Sequence, residues 1–129
     1  MSELIMTITV TTHEAHTLEG QRSRVVMIPF SAEATGKYFN GKTVADGVDT
    51  QVSTMDGFTL SARYMLEGTD RSGNKCRLFI ENNGTSLENC KPKIYTDSEE
   101  LAFLENAELM AKVECAENSV VVSIFMSAY

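Results

Sequence analysis

From Leu4 to Thr12 the chain alternates, with Met6, Ile8 and Val10 on one side and threonines on the other, the period of a strand that buries one face. Arg24 to Ala32 repeats the pattern through Val26, Ile28, Phe30 and Ala32, and Pro29 within it predicts an edge, a bulge or a bend. Gly36 to Gly47, with Gly41 and the Asp46-Gly47 step, reads as a loop that leads into a strand from Val48 to Met55. Asp56-Gly57 has the chemistry of a tight hairpin turn, after which Phe58, Leu60, Ala62, Tyr64 and Leu66 alternate again. Ser72-Gly73-Asn74 turns the chain, and Cys76, Leu78 and Ile80 carry the next strand. Leu109 to Cys115 and Ser119 to Met126, joined by Ala116-Glu117-Asn118, read as a closing hairpin. Only Asp97 to Ala107 has a helical pattern, with Asp97 or Ser98 to cap it, Glu99 and Glu100 at its positive end, and Leu101 and Leu104 on one face.

Many short strands joined by hairpin-length turns imply antiparallel pairing, and a sheet of that size hides its edges by closing on itself or by folding into a sandwich. The expectation is a mainly β fold: a closed antiparallel barrel of about eight strands with one short helix, wide enough inside for side chains or one small ligand.

Composition narrows the functions. The chain has 129 residues, 43% of them hydrophobic and 22% charged, which suits one folded domain over residues 1–129 and excludes a disordered chain. A net charge of -7 and a pI near 4.8 repel phosphate backbones and anionic headgroups, so neither nucleic acid nor membrane is an expected partner. No run approaches a membrane span, and Met1-Ser2-Glu3 lacks the basic start of a secretory leader; a cytoplasmic location is the expectation. Cys76, Cys90 and Cys115 are odd in number and widely spaced, so they suggest neither a disulfide framework nor a zinc site. His13 and His16 fall on opposite faces of a strand, which argues against a shared metal. Walker, Rossmann, nucleophile-elbow and zincin motifs are absent, and no cofactor is implied.

Two groups of residues carry candidate chemistry. Asp49, Gln51, Arg63 and Glu81 form one polar cluster if their odd-numbered positions share a face, with Arg63 as a forked donor and Asp49 or Glu81 as proton acceptor. Against this, charged side chains usually face solvent or pair with one another. Tyr64, Thr50 and Asn82 occupy even-numbered positions among Leu60, Ala62, Leu66 and Ile80, which places them toward an interior where a ligand or the backbone must satisfy them. Gln51 and Asn83 complete the candidate ligand contacts. The methionines and the Tyr38-Phe39 pair read as ordinary packing, the pair with the further possibility of lidding a barrel mouth or packing a dimer contact.

GKYFNGKTVADGVDTQ, from Gly36 to Gln51, LSARYMLEGTDRSGNKCRLFIENNG, from Leu60 to Gly84, and PKIYTDSEELAFLENAEL resemble the bacterial and fungal family called domain of unknown function 3237, over nearly the whole chain. The features that carry the resemblance are Gly47 with Asp49, the Ala62-Arg63-Tyr64 strand, Asp70 with Gly73, and Gly84. The resemblance implies a barrel similar to allene oxide cyclases and dirigent proteins, which guide cyclisation or coupling of small apolar molecules. The leading expectation is thus a small-molecule-binding barrel for an apolar metabolite with a polar handle. An isomerase, cyclase or lyase without a cofactor is the enzymatic alternative, with Asp49 or Glu81 as base and Tyr64 or Arg63 as electrophile. The third reading is a barrel that self-associates, a homo-oligomer without a pocket.

Overall fold

The computed structural model describes residues 2–116 and 119–127. Ten strands run β1 (Ser2–Thr12), β2 (His16–Glu19), β3 (Ser23–Thr35), β4 (Phe39–Thr43), β5 (Gly47–Thr54), β6 (Gly57–Asp70), β7 (Lys75–Ser86), β8 (Asn89–Thr96), β9 (Leu109–Cys115) and β10 (Val120–Ser127). Each pairing is antiparallel, and the ring β1-β10-β9-β8-β7-β6-β5-β3 returns to β1, which closes an eight-stranded barrel. Strands β2 and β4 add no wall of their own. β2 continues the line of β1 along β3, and β4 precedes β5 along the same two neighbours, β3 and β6.

Sequence features explain the local departures. Pro29 faces the gap where the β1 line breaks before β2, and its carbonyl accepts the His13 amide at 2.8 Å, so a residue without a donor sits where the ladder is interrupted. In β1 the register shifts between Leu4 and Met6, a bulge that lets Ile5 and Met6 both face the core. The stretch from Gly36 to Gly47, read above as a loop, contains β4: Gly41 lies opposite Gly68, and without side chains there the two strands approach over the fully buried Phe39 ring. The helix expected over Asp97–Ala107 is a single 3-10 turn, Ala102–Glu105. Leu101 and Leu104 are three apart, the spacing that aligns side chains in a 3-10 turn, and both are buried. Leu101, not Asp97 or Ser98, is the N-cap of that turn and it has no side-chain cap; the Ser98 hydroxyl accepts the Leu101 amide at 3.2 Å just ahead of it. Of the joint expected at Ala116-Glu117-Asn118, Glu117 and Asn118 lie outside the described residues.

One end of the barrel is packed shut. Phe39, Leu66, Leu78, Leu101 and Leu104 fill it. Around it Tyr38 donates to Glu3 at 3.0 Å and meets Phe103 edge-on, while Lys37 pairs with Glu3, whose carboxyl is held below its ordinary range by these two partners. Asp70 is buried at the β6–β7 turn: its Oδ1 accepts the Ser72 and Asn74 amides at 3.0 and 2.9 Å, and its Oδ2 accepts the Ser98 hydroxyl at 3.2 Å. Gly73, at φ 81°, makes that turn possible. The barrel's other end is left less full.

Candidate functional site

At that end a cavity of about 410 Å³ enters the barrel, where Phe58, Leu87, Cys115 and Val120 flank three hairpins. Its walls are Val10, Ile28, Phe30, Phe58, Ala62, Leu87 and Val120; its polar groups are Thr12, Asp49, Gln51, Tyr64, Asn82 and Cys115. A few polar groups set in apolar walls are the usual make-up of a small-molecule site, and this volume lies at the small end of such sites.

Strand register builds the site from lateral rows. In the deepest row, Phe30 is paired with Gly47, and a side chain on Gly47 would strike Tyr64 Cβ at 2.6 Å and Phe30 Cζ at 2.8 Å. Because glycine stands there, the Phe30 and Tyr64 rings meet edge-to-face with centroids 5.2 Å apart and form the floor. The next row reads Ile28, Asp49, Ala62, Asn82 across four strands. Ala62 leaves a notch between the two polar side chains. One row nearer the mouth, Gln51 extends its amide back along β5 and donates to Asp49 Oδ2 at 3.0 Å.

The other acceptor positions in this row are unfilled. Asp49 Oδ1 and Asn82 Oδ1 are buried and have no hydrogen-bond partner among the described residues. Burial raises the Asp49 carboxyl above its ordinary range, an effect that the Gln51 hydrogen bond opposes. Burial also pushes the Tyr64 phenol far up, so its hydroxyl stays protonated and available as a donor. The Cys90 thiol is raised by burial and, next, by the Asp49 charge.

Of the residues singled out from the sequence, Asp49, Gln51, Tyr64 and Asn82 line the cavity, whereas Thr50, Arg63, Glu81 and Asn83 lie on the outer wall. The four-residue cluster of Asp49, Gln51, Arg63 and Glu81 is therefore split between two faces. Arg63 is paired with Glu81 at 3.6 Å, and Glu81 also accepts from Asn83 at 2.7 Å, an ordinary outer-face network. Thr50 lies opposite Ser61 and Met27, outside, rather than beside Tyr64 and Asn82. The reason is register: Thr54 pairs with Gly57, so odd positions of β5 share a face with even positions of β6. Residues that the sequence pattern passed over are Ala62, whose small size opens the notch, and the apolar rim of Phe58 and Leu87.

A wider groove of about 970 Å³ lies outside, between β8 and residues 104–109. It follows the weakest seam of the barrel, where β8 and β9 share the single pair Cys90 and Ala111. Ser61 Oγ on that wall is the third buried atom without a partner, but Arg63, Lys91 and Lys93 there alternate with Glu105 and Glu108 and define no single ligand charge. Among the described residues, no group of three His, Cys, Asp or Glu side chains is placed to hold a metal ion, and no helix is long and apolar enough to cross a membrane.

Fold and site together define a closed antiparallel barrel with an interior cavity open at one end. Known proteins agree on the barrel. A UPF0311 protein of Clostridium acetobutylicum is 38% identical over 66 residues, a match spanning 50% of this chain and 38% of that protein. A solved structure of a protein of unknown function from Clostridium acetobutylicum superposes with a TM-score of 0.81 at 23% identity, covering 99% of each chain. A β-barrel-like protein from Acinetobacter baumannii gives 0.72 at 16% identity, covering 98% of this chain and 96% of that one. No family model matches the chain, so the resemblance to domain of unknown function 3237 is not confirmed by one.

Proposed function

We propose that the barrel binds a small apolar molecule whose polar handle donates hydrogen bonds to Asp49 and Asn82. The observation that carries this reading is the pair of buried, unpartnered acceptors facing an otherwise apolar cavity. A buried polar atom left without a partner costs about 1–3 kcal/mol, which a ligand donor recovers. Phe30 and Tyr64, packed edge-to-face, supply an apolar floor for an aromatic or alicyclic body, and the Tyr64 hydroxyl offers the handle a donor in return.

A second reading is favoured by the raised carboxyl of Asp49: a cofactor-independent isomerase or cyclase, with Asp49 taking the proton and Tyr64 stabilising developing negative charge. Arg63 and Glu81, on the outer wall, have no part in it.

Single-ring aromatic compounds bearing neutral, basic or acidic handles, titrated while backbone amide NMR signals are followed, test the binding reading. Shifts confined to Asp49, Ala62, Tyr64 and Asn82, and lost in Ala62→Leu, are expected. Shifts scattered over the outer groove, or persisting in that variant, would overturn it.

A further inference from the structure

Resting on the cavity reading above, we propose that the handle this site selects is a protonated amine carried on a small aromatic or branched apolar body. The cavity holds the Asp49 carboxyl and, among the described residues that line it, no lysine, arginine or histidine. Asp49, half-buried with its Oδ1 buried, therefore has no counter-ion among the described residues that line the cavity, and one neutral donor, Gln51, touches its Oδ2. A carboxylate taken out of water is costly until a positive charge joins it, and a ligand cation fills that role.

Donor count points the same way. The vacant acceptors, Asp49 Oδ1 and Asn82 Oδ1, stand on either side of Ala62, two strands apart. A hydroxyl brings one hydrogen and can serve one of them. An ammonium group brings three in a cone, enough for both with one left for Tyr64 or the mouth. Asn82 is 5% exposed, so its carbonyl is a built part of the cavity wall rather than a surface group. The walls suit the rest of such a ligand: Phe30, Phe58 and Tyr64 are aromatic, a side-chain type that accommodates a cation as well as an apolar body, and Ile28 and Val10 are aliphatic. A ligand carboxylate meets the opposite situation, with acceptors facing acceptors and no cation to receive it.

The test is a matched set of probes, phenethylamine, phenethyl alcohol and phenylacetate, titrated at neutral pH into the unaltered chain and into Asp49→Asn. Binding is followed by calorimetry, with amide NMR to place the site. Phenethylamine is expected to bind about tenfold or more tightly than the alcohol, the increment of a charge-assisted hydrogen bond over a neutral one, and phenylacetate weakest of all. Asp49→Asn, which keeps the side-chain shape, is expected to bring amine and alcohol together. Amine and alcohol binding equally in the unaltered chain, at the cavity residues, would overturn the amine assignment and leave the cavity reading standing. Shifts from none of the three at the cavity residues would overturn both. The comparison in the unaltered chain decides even if the variant does not fold.

Discussion

Asp49 and Asn82 occupy one lateral row of the barrel, two strands apart, with Ala62 and its single methyl between them in the row. The same arrangement recurs one row deeper, where Phe30 and Tyr64 meet over Gly47. In both rows a small residue on the middle strand lets its neighbours reach over it. At Gly47 the neighbours touch and seal the floor; at Ala62 they leave their oxygens free and keep a space. The cavity is thus made by residue size at two positions as much as by the polar groups that line it.

Filling the notch is the most direct perturbation. Ala62→Leu places an isobutyl group between Asp49 and Asn82, where space exists, so the fold is expected to hold and thermal unfolding to stay within about 1 kcal/mol of the unaltered chain. Binding of any cavity ligand is expected to weaken by about tenfold or more, read by calorimetry. Unchanged affinity would place the ligand elsewhere.

Asp49 makes stability depend on pH in a definite direction. Its folded carboxyl is raised above the ordinary value of 3.8, so the folded state holds the proton more tightly than the unfolded one. The stabilising contribution is full below the unfolded value and is lost as pH rises through the folded value. Asp49→Asn is accordingly expected to be neutral in strong acid and to raise the unfolding midpoint at neutral pH. The groups around Asp49 are Ile28, Gln51, Ala62, Asn82 and the Cys90 thiol, and among the described residues that line the cavity there is no cation to reverse the sign. Denaturation of both chains across the acid range checks this, and a variant less stable at neutral pH would contradict the desolvated carboxyl.

The sequence revealed the barrel because most strands carry their apolar residues at every second position: Met6, Ile8 and Val10, then Phe30, Ala32 and Ala34, then Leu60, Tyr64 and Leu66 all face inward as alternation requires. β5 misled because its pattern is inverted. Val48, Thr50 and Val52 look like a buried face but lie outside, while Asp49 and Gln51 point into the cavity. The signal that corrects this was present in the turn. Any two-residue hairpin sets odd positions of one strand against even positions of the next, so a tight turn at Asp56-Gly57 already implied that Asp49 shares a face with Ala62 and Tyr64, not with Arg63. β4 was hidden for a different reason: its Gly41 is there for close approach to Gly68, and glycine reads as a loop signal in isolation. The unpartnered oxygens of Asp49 and Asn82 depend on contacts between strands far apart in sequence, which no local pattern encodes.

Asp70 offers a control at the closed end. Its carboxylate holds the Ser72 and Asn74 amides and the Ser98 hydroxyl, and so ties the β6–β7 turn to the segment that caps the core. Asp70→Ala removes all three and is expected to cost about 2–4 kcal/mol in chemical denaturation, since each charge-assisted bond is worth about 1.5–3 kcal/mol and the loss is partly offset by water. Ligand affinity of the folded fraction is expected to stay unchanged. A loss of affinity equal to that of Ala62→Leu would mean that the two ends of the barrel are coupled.

Gly47→Ala tests whether the floor is set by the missing side chain. A methyl there would lie 2.8 Å from the Arg63 carbonyl oxygen as well as striking the Tyr64 and Phe30 carbons, and backbone cannot swing aside as a long side chain can. The expected result is a loss of about 1–3 kcal/mol, the usual cost of overpacking. It should come with movement of the Tyr64 and Phe30 ring signals in NMR, because both side chains border the added methyl. Ala62→Leu fills the same cavity from a position that already carries a side chain, so the two variants separate a ligand's need for space from the barrel's need for a glycine. A Gly47→Ala chain as stable as the unaltered one, with Tyr64 unmoved, would show that the contact between Phe30 and Tyr64 does not depend on the missing side chain at Gly47.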